Sequence, residues 1–179
     1  QQVEGDPNSF LYFTGNAGSG HIKGIEFETI YQVCCNIFLN ANLGILDSWV
    51  DKFTYQASSE THEIGGNREA AMSPKITGSL GLSYETESNL FASVRISYKD
   101  EYYFSDSHNQ KNEPYSLLNL TLRKTIGNGS ATLWIRNALD KRYATRGFYF
   151  GLIPPNYPDQ LWLSYGDPRQ IGVTVDYTF

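Results

Sequence analysis

The amino-acid sequence predicts an all-β protein, a transmembrane antiparallel β-barrel wall. Three observations carry this. Apolar residues recur at every second position through most of the chain, so each segment has one greasy and one wet face. The connections between segments run alternately short and long. Several segments exceed ten residues, whereas soluble strands centre on about 5–6 and about 9–11 tilted residues cross a bilayer. An edge strand of a soluble sandwich alternates in the same way, so the second and third observations separate the two architectures.

The closing stretch shows the alternation plainly: Ile171, Val173, Val175, Tyr177 and Phe179 against Gly172, Thr174, Asp176 and Thr178. From the start of the chain, residues 9–14 read as the end of a strand and 15–20 as a Gly/Asn turn. Residues 21–32 set Ile25, Phe27, Thr29 and Tyr31 against Gly24, Glu26 and Glu28, and two glutamates on one face require water. After the connection 33–36, residues 37–50 set Ile37, Leu39, Ala41, Leu43 and Ile45 against Phe38, Asn40, Asn42 and Gly44. The period is lost over 51–72, a long loop. It returns at 75–84 with Ile76, Leu80, Leu82 and Tyr84. A short turn, 85–88, leads to 89–103 with Leu90, Ala92, Val94, Ile96 and Tyr98. Residues 104–113 are a polar loop. Leu118, Leu120 and Leu122 mark the strand 115–125. Gly127-Asn128-Gly129 is a tight hairpin turn into 130–137, where Ala131, Leu133 and Ile135 alternate. Residues 139–168 form a loop rich in Tyr, Phe, Pro and Gly before the final strand.

In a meander, alternate connections lie at the same end. One end therefore carries the tight turns and the other the long loops 51–72, 104–113 and 139–168, the asymmetry of outer-membrane barrels. A Greek-key sandwich has no reason to sort its loops so. Tyr31, Tyr84, Tyr98, Tyr177 and Phe179 fall at strand ends, where membrane girdles belong.

Composition narrows the function. Mean hydropathy is -0.40, and no stretch approaches the roughly 18 apolar residues of a membrane helix. A barrel, which alternates lipid-facing and lumen-facing residues, is expected to look this polar. The net charge of -5 argues against a nucleic-acid partner. Cys34 and Cys35 are the only cysteines; as neighbours they pair only with strain, and they read as incidental. His21, His62 and His108 show no metal-ligand spacing. No nucleophile with a partner base is found, so neither an enzyme nor a cofactor is expected. Glu26 and Glu28 read as lining a wet lumen, and Arg95, Arg123 and Arg136, also on polar faces, as making structural pairs, with lumen acids among the candidate partners, rather than direct substrate contacts.

Three stretches resemble a known family. Asn137-Ala138-Leu139-Asp140-Lys141-Arg142-Tyr143 is similar to an Asn-Leu-x-Asp-Lys-x-Tyr signature, with Ala138 and Leu139 departing slightly in order. Gly166-Asp167-Pro168-Arg169 and the closing strand resemble a C-terminal Gly-x-Pro-Arg and last strand. Asn16-Ala17-Gly18 with Gly24-Ile25-Glu26-Phe27-Glu28 resembles an earlier hairpin. Together these identify the chain as similar to the C-terminal part of a TonB-dependent outer-membrane receptor.

The resemblance implies a barrel of about twenty-two strands around an N-terminal plug, of which residues 1–179 would be the last seven to eight strands. Plug, earlier strands and the segment that contacts TonB would lie outside the chain. It implies outer-membrane lipid, TonB, the barrel-assembly machinery and a small-molecule ligand, most often a ferric siderophore, as partners. Tyr177 and Phe179 would form the barrel-assembly signal, with Phe179 periplasmic and the long loops extracellular. Exposed aromatics on a rigid scaffold suit ligand recognition. The expected contacts are Arg146, Phe148, Tyr149, Phe150, Tyr157 and Trp162, the arginine attracting an anionic chelate. The alternative is a complete eight-stranded outer-membrane barrel with a structural or adhesion role. Cut from the rest, the open run of strands would have two unpaired edges and is expected to misfold in water.

Overall fold

Seven alternating segments hydrogen-bond into one antiparallel sheet. They are β3 (Gly20–Cys34), β4 (Ile37–Val50), β7 (Ile76–Glu85), β8 (Leu90–Lys99), β9 (Tyr115–Ile126), β10 (Gly129–Arg136) and β13 (Gln170–Tyr177), in the order β13-β10-β9-β8-β7-β4-β3. Three two-stranded pairs stand apart from it: β1 (Gln2–Val3) with β2 (Asp6–Phe10), β5 (Phe53–Ala57) with β6 (Glu60–Ile64), and β11 (Ala144–Gly151) with β12 (Asp159–Tyr165). This computed structural model describes residues 2–3, 6–10, 18–57, 60–64, 66–106 and 108–179. The expected strand 9–14 and turn 15–20 fall partly outside them, as do Asn16 and Ala17 of the earlier hairpin.

Register aligns the alternation of all seven strands. One row runs Tyr31, Leu39, Leu82, Val94, Leu120, Ile135, Ile171; the next runs Ile37, Tyr84, Ala92, Leu122, Leu133, Val173. The row between them holds Phe38, Ser83, Ser93, Thr121 and Trp134, and the row beyond the first holds Asn40, Gly81, Arg95 and Asn119. A slip of one residue at any pairing would swap the faces. The apolar face is uncovered: Ile171, Val173 and Val175 are 64%, 66% and 74% exposed. Among the described residues the only buried apolar side chains, Tyr102 and Phe104, belong to a loop. Among the described residues no second sheet packs on the greasy face, which rules out the sandwich.

The stagger of the sheet is that of a barrel. Ile37 opens β4, and the row through it meets β10 at Leu133, beyond that strand's first residue, Gly129. This amounts to one residue per strand step. A shift of about 3.4 Å for every 4.8 Å of sheet width tilts the strands by about 35°, inside the barrel range of about 35–45°. From Ile37 to Ile45 the apolar stripe of β4 runs about 27 Å along the strand. Tilted, it stands about 22 Å tall, close to the roughly 25 Å band of outer-membrane barrels. Tyr31, Tyr84 and Tyr177 lie toward the tight-turn end, and Tyr98 and Trp49 toward the other. The sheet does not close, since β3 and β13 are its two edges and do not pair. The alternative of a self-contained eight-stranded barrel is therefore not what these strands form.

The loop asymmetry holds. Tight turns join β3 to β4, β7 to β8 and β9 to β10, while long links join β4 to β7, β8 to β9 and β10 to β13. Two long loops need correction, because 51–72 contains β5–β6 and 139–168 contains β11–β12. These strands, five to eight residues long, lack a clean alternation of apolar and polar residues, so no period marks them. The strand expected over 89–103 ends at Lys99, where the chain turns into Asp100–Pro114.

The two faces make opposite demands on a charge. Leu120→Arg, on the apolar face at mid-height, is expected to destabilise the barrel assembled in lipid by about 2–4 kcal/mol. Thr121→Arg, on the polar face, should cost under about 1 kcal/mol. Urea titration of the vesicle-inserted protein reads both; equal losses would contradict the assignment of faces.

Candidate functional site

The long links fold back over the polar side of the wall. Ser48, on that side of β4, is buried, and its hydroxyl accepts from the Ala70 amide at 3.3 Å. Tyr115, which shares its row with Lys99 and Thr77 on the polar side, stacks on Tyr143 with ring centres 4.6 Å apart. Links 66–75, 100–114 and 137–169 thus meet at one end of the sheet.

The third link is closed at its base by the signature residues. Asn137 and Asp140 both adopt positive φ, 48° and 53°, a conformation that Asn and Asp tolerate better than most. Asn137 is buried and its polar atoms are satisfied. Its amide donates to Asn119 Oδ1 at 3.0 Å, its Oδ1 accepts from Lys141 N at 2.9 Å, and its Nδ2 donates to the carbonyls of Lys141 and Asp167 at 2.9 and 3.1 Å. Asp140 Oδ1 accepts from Arg169 N at 2.8 Å. The Asn-x-x-Asp and Pro-Arg stretches are two halves of a latch that joins the end of β10 to the start of β13. Their spacing in the sequence signals a motif without revealing this role.

Above the latch, β11–β12 carries five of the six expected ligand contacts. Arg146, Phe148 and Phe150 share an exposed face with Trp162, which pairs with Phe148 across the hairpin and donates from Nε1 to the Phe150 carbonyl at 3.1 Å. Phe148 and Phe150 meet edge-to-face at 6.4 Å. Tyr149 lies on the opposite face, 5.9 Å from the His108 ring. The sixth, Tyr157, sits exposed at the tip with φ of 46°. The structure gathers four of the six on one face and separates Tyr149 from them, as a period of two requires.

The hairpin's other face encloses a cavity of about 360 Å³. Phe104, Tyr115, Tyr143, Leu161, Leu163 and Tyr165 supply its apolar walls, and Lys111, Lys141, Arg142 and Glu113 its charges. Arg142 lies over the Tyr165 ring at 4.0 Å. Phe104 reaches the hairpin at Gly147, where a Cβ would fall 2.4 Å from the ring. Lys111 bonds Glu101 at 2.9 Å, which raises its pKa and keeps it cationic. Lys75 and Glu69 pair likewise across the wall end, lowering the carboxyl and raising the amine. Sequence reasoning passed over Phe104, Tyr115 and Lys111, since nothing in their spacing shows that two loops will meet around them.

Two of the polar-face arginines find rings: Arg123 lies over Phe91 at 5.0 Å and Arg136 over Trp134 at 4.9 Å. Glu26 and Glu28 are exposed on the polar face, as expected of lumen residues. Cys34 ends β3 and Cys35 stands in the following turn, both exposed and unbridged. His21 and Lys23 share Asp47, at 3.7 and 3.0 Å. The backbone of His62 lies in β6, and its side chain is outside the described residues.

These features suit a barrel mouth, and the family comparison agrees. The family described as TonB dependent receptor-like, beta-barrel matches residues 1–138. The chain belongs to that family. Its sheet is a section of an outer-membrane β-barrel wall. Two solved structures share the fold. The siderophore receptor PiuA from Acinetobacter baumannii superposes with a TM-score of 0.69 at 19% identity over 87% of this chain. The ferric yersiniabactin uptake receptor FyuA from Yersinia pestis does so with 0.71 at 15% over 89%. The chain spans 21% and 24% of their respective lengths.

Two outcomes check the site. Gly147→Ala drives a methyl into the Phe104 ring and should loosen the hairpin by about 1–3 kcal/mol, the usual range for overpacking. Phe104→Leu in the same receptor should restore part of that loss. The second outcome concerns pH. Burial pushes the His108 imidazole below its usual range, and nearby Arg68 adds to this; the Gln110 side chain pulls it up less strongly. His108 Nδ1 and Gln110 Oε1 are themselves buried and short of hydrogen-bonding geometry. A depressed histidine contributes stability that is present above its unfolded pKa and lost as pH falls through the folded one. Acid below the ordinary imidazole range should therefore loosen the 100–114 link from the hairpin. The Tyr149 and Gly147 amide shifts, followed against pH, should lose that step in His108→Gln.

Proposed function

We propose that residues 1–179 form the closing C-terminal part of the wall of a TonB-energised receptor that carries a ferric siderophore across the outer membrane. The observation that carries this reading is the sorting of the links. All three long ones gather at one end, fold over the polar side, and place an aromatic, cation-bearing cavity there. Family membership and the fold shared with two receptors named for siderophore and ferric yersiniabactin uptake support it.

An iron chelate of this class is bulky and commonly anionic. Phe148, Phe150 and Trp162 offer it ring surface with Arg146 beside them, and Tyr157 stands at the tip. Lys141 and Arg142 offer charge at the cavity behind the hairpin, and Tyr149, on that face of the hairpin, lies beside the His108 ring. The apolar face meets lipid. Tyr177 and Phe179 are the barrel-assembly signal: both are exposed, with rings packed edge-to-face at 5.1 Å. TonB engages an N-terminal part of the receptor beyond these residues, and no chemistry is asked of the chain itself.

Deleting the full-length gene should abolish radiolabelled-iron uptake from at least one chelate in a siderophore panel. Unchanged uptake across the panel would count against iron as cargo. Trp162→Ala and Phe148→Ala should each weaken ligand binding by about tenfold, the loss of roughly 1.4 kcal/mol of ring contact. Removing Phe179 should lower the amount of assembled receptor and leave the affinity of the remainder unchanged.

A further inference from the structure

We infer that Arg68 is a positioning residue for the β11–β12 hairpin, acting through the 100–114 link that lies between them. Its backbone is tied to the wall, since the Val50 amide donates to the Arg68 carbonyl at 2.9 Å. Its side chain is only 8% exposed. The guanidinium fills the tip of the neighbouring link. Nη2 donates to the carbonyls of Ser105, Asp106 and His108 at 3.0, 2.9 and 3.0 Å, Nη1 donates to Asn109 Oδ1, and the plane lies over the Tyr103 ring at 4.2 Å. The tip is closed at its neck by Phe104 N to Gln110 O at 3.1 Å and by Asn112 N to Tyr102 O at 3.1 Å.

That same tip is what the hairpin rests on. Tyr102 donates its hydroxyl to the Thr145 carbonyl at 3.1 Å, the Phe104 ring occupies the space over Gly147, and the His108 ring faces Tyr149. Tyr102 and Phe104 are the two buried apolar side chains among the described residues, so the apolar packing that excludes water there lies in these contacts. Removing the guanidinium would take a buried donor from the converging carbonyls, those of Asp106 and His108 among them, and the turn would open to find water. Opening it moves Phe104 and His108, and the hairpin loses its seat. Lysine does not substitute, because a point-like ammonium cannot span four acceptors and stack flat on a ring. The proposed uptake function bears only on the consequence, the placement of the ring face formed by Phe148, Phe150 and Trp162.

The test is hydrogen exchange on the full-length receptor in lipid, without ligand, so that its outcome does not depend on the cargo. Arg68→Met should speed amide exchange in 144–151 and 159–165 by at least tenfold, with the strands 76–99 and 115–136 unchanged. Arg68→Lys should fall between Met and wild type. Once the seat has been removed by Tyr102→Phe with Phe104→Leu, adding Arg68→Met should speed the hairpin no further. Faster exchange confined to 66–75 and 100–114, or additive effects in the combined variant, would overturn the proposal. If Arg68→Met fails to assemble, Arg68→Lys alone decides, by whether the hairpin or only the two links respond.

Discussion

A strand in a membrane wall must satisfy every backbone N–H and C=O against its neighbours while its side chains meet two different media. The rest of this structure follows from that double constraint. Pairing forces the seven strands into register, and the register gathers their alternate residues into one apolar and one polar face. The drift of one residue per strand tilts the wall by about 35° and sets the height of its apolar band. Few side chains are buried, because this sheet keeps its apolar residues on its outer surface rather than in a protein core.

The dry packing that does exist sits in the links. Polar chain that leaves the wall at the long-loop end must fold without a sheet to pair with, and it does so around a few fully satisfied side chains. The side chains of Asn137 and Arg68 each make three hydrogen bonds with irregular backbone, and Tyr102 and Phe104 are buried in the same end of the molecule. A loop held by such buried polar hubs can stay ordered at a water-filled mouth. That order suits the ligand surface proposed above, since a preformed site loses less entropy on binding.

The two faces of the β11–β12 hairpin divide its duties. The face with Gly147, Leu163 and Tyr165 seats it against Phe104 and the cavity, while the face with Phe148, Phe150 and Trp162 stays open. An aromatic-rich run with no visible period conceals this division, because its glycines and prolines break the count on either side. Only the pairing of Phe148 with Trp162 shows which rings belong together.

From the sequence alone came the class of fold, the seven wall strands within a few residues, the sorting of links and the location of an aromatic-rich link. Those features are written in local periods and in turn residues such as Gly127-Asn128, which act over distances the chain itself spans. Tertiary structure alone decided that 51–72 and 139–168 contain hairpins, that Tyr149 turns away from its neighbours, and that Arg123 and Arg136 rest on rings. It alone also brought Arg68, Phe104 and Gly147 together. Residues 68 and 147 stand on different links, and no spacing along the chain records which carbonyls will converge on a guanidinium once the strands have set their ends side by side.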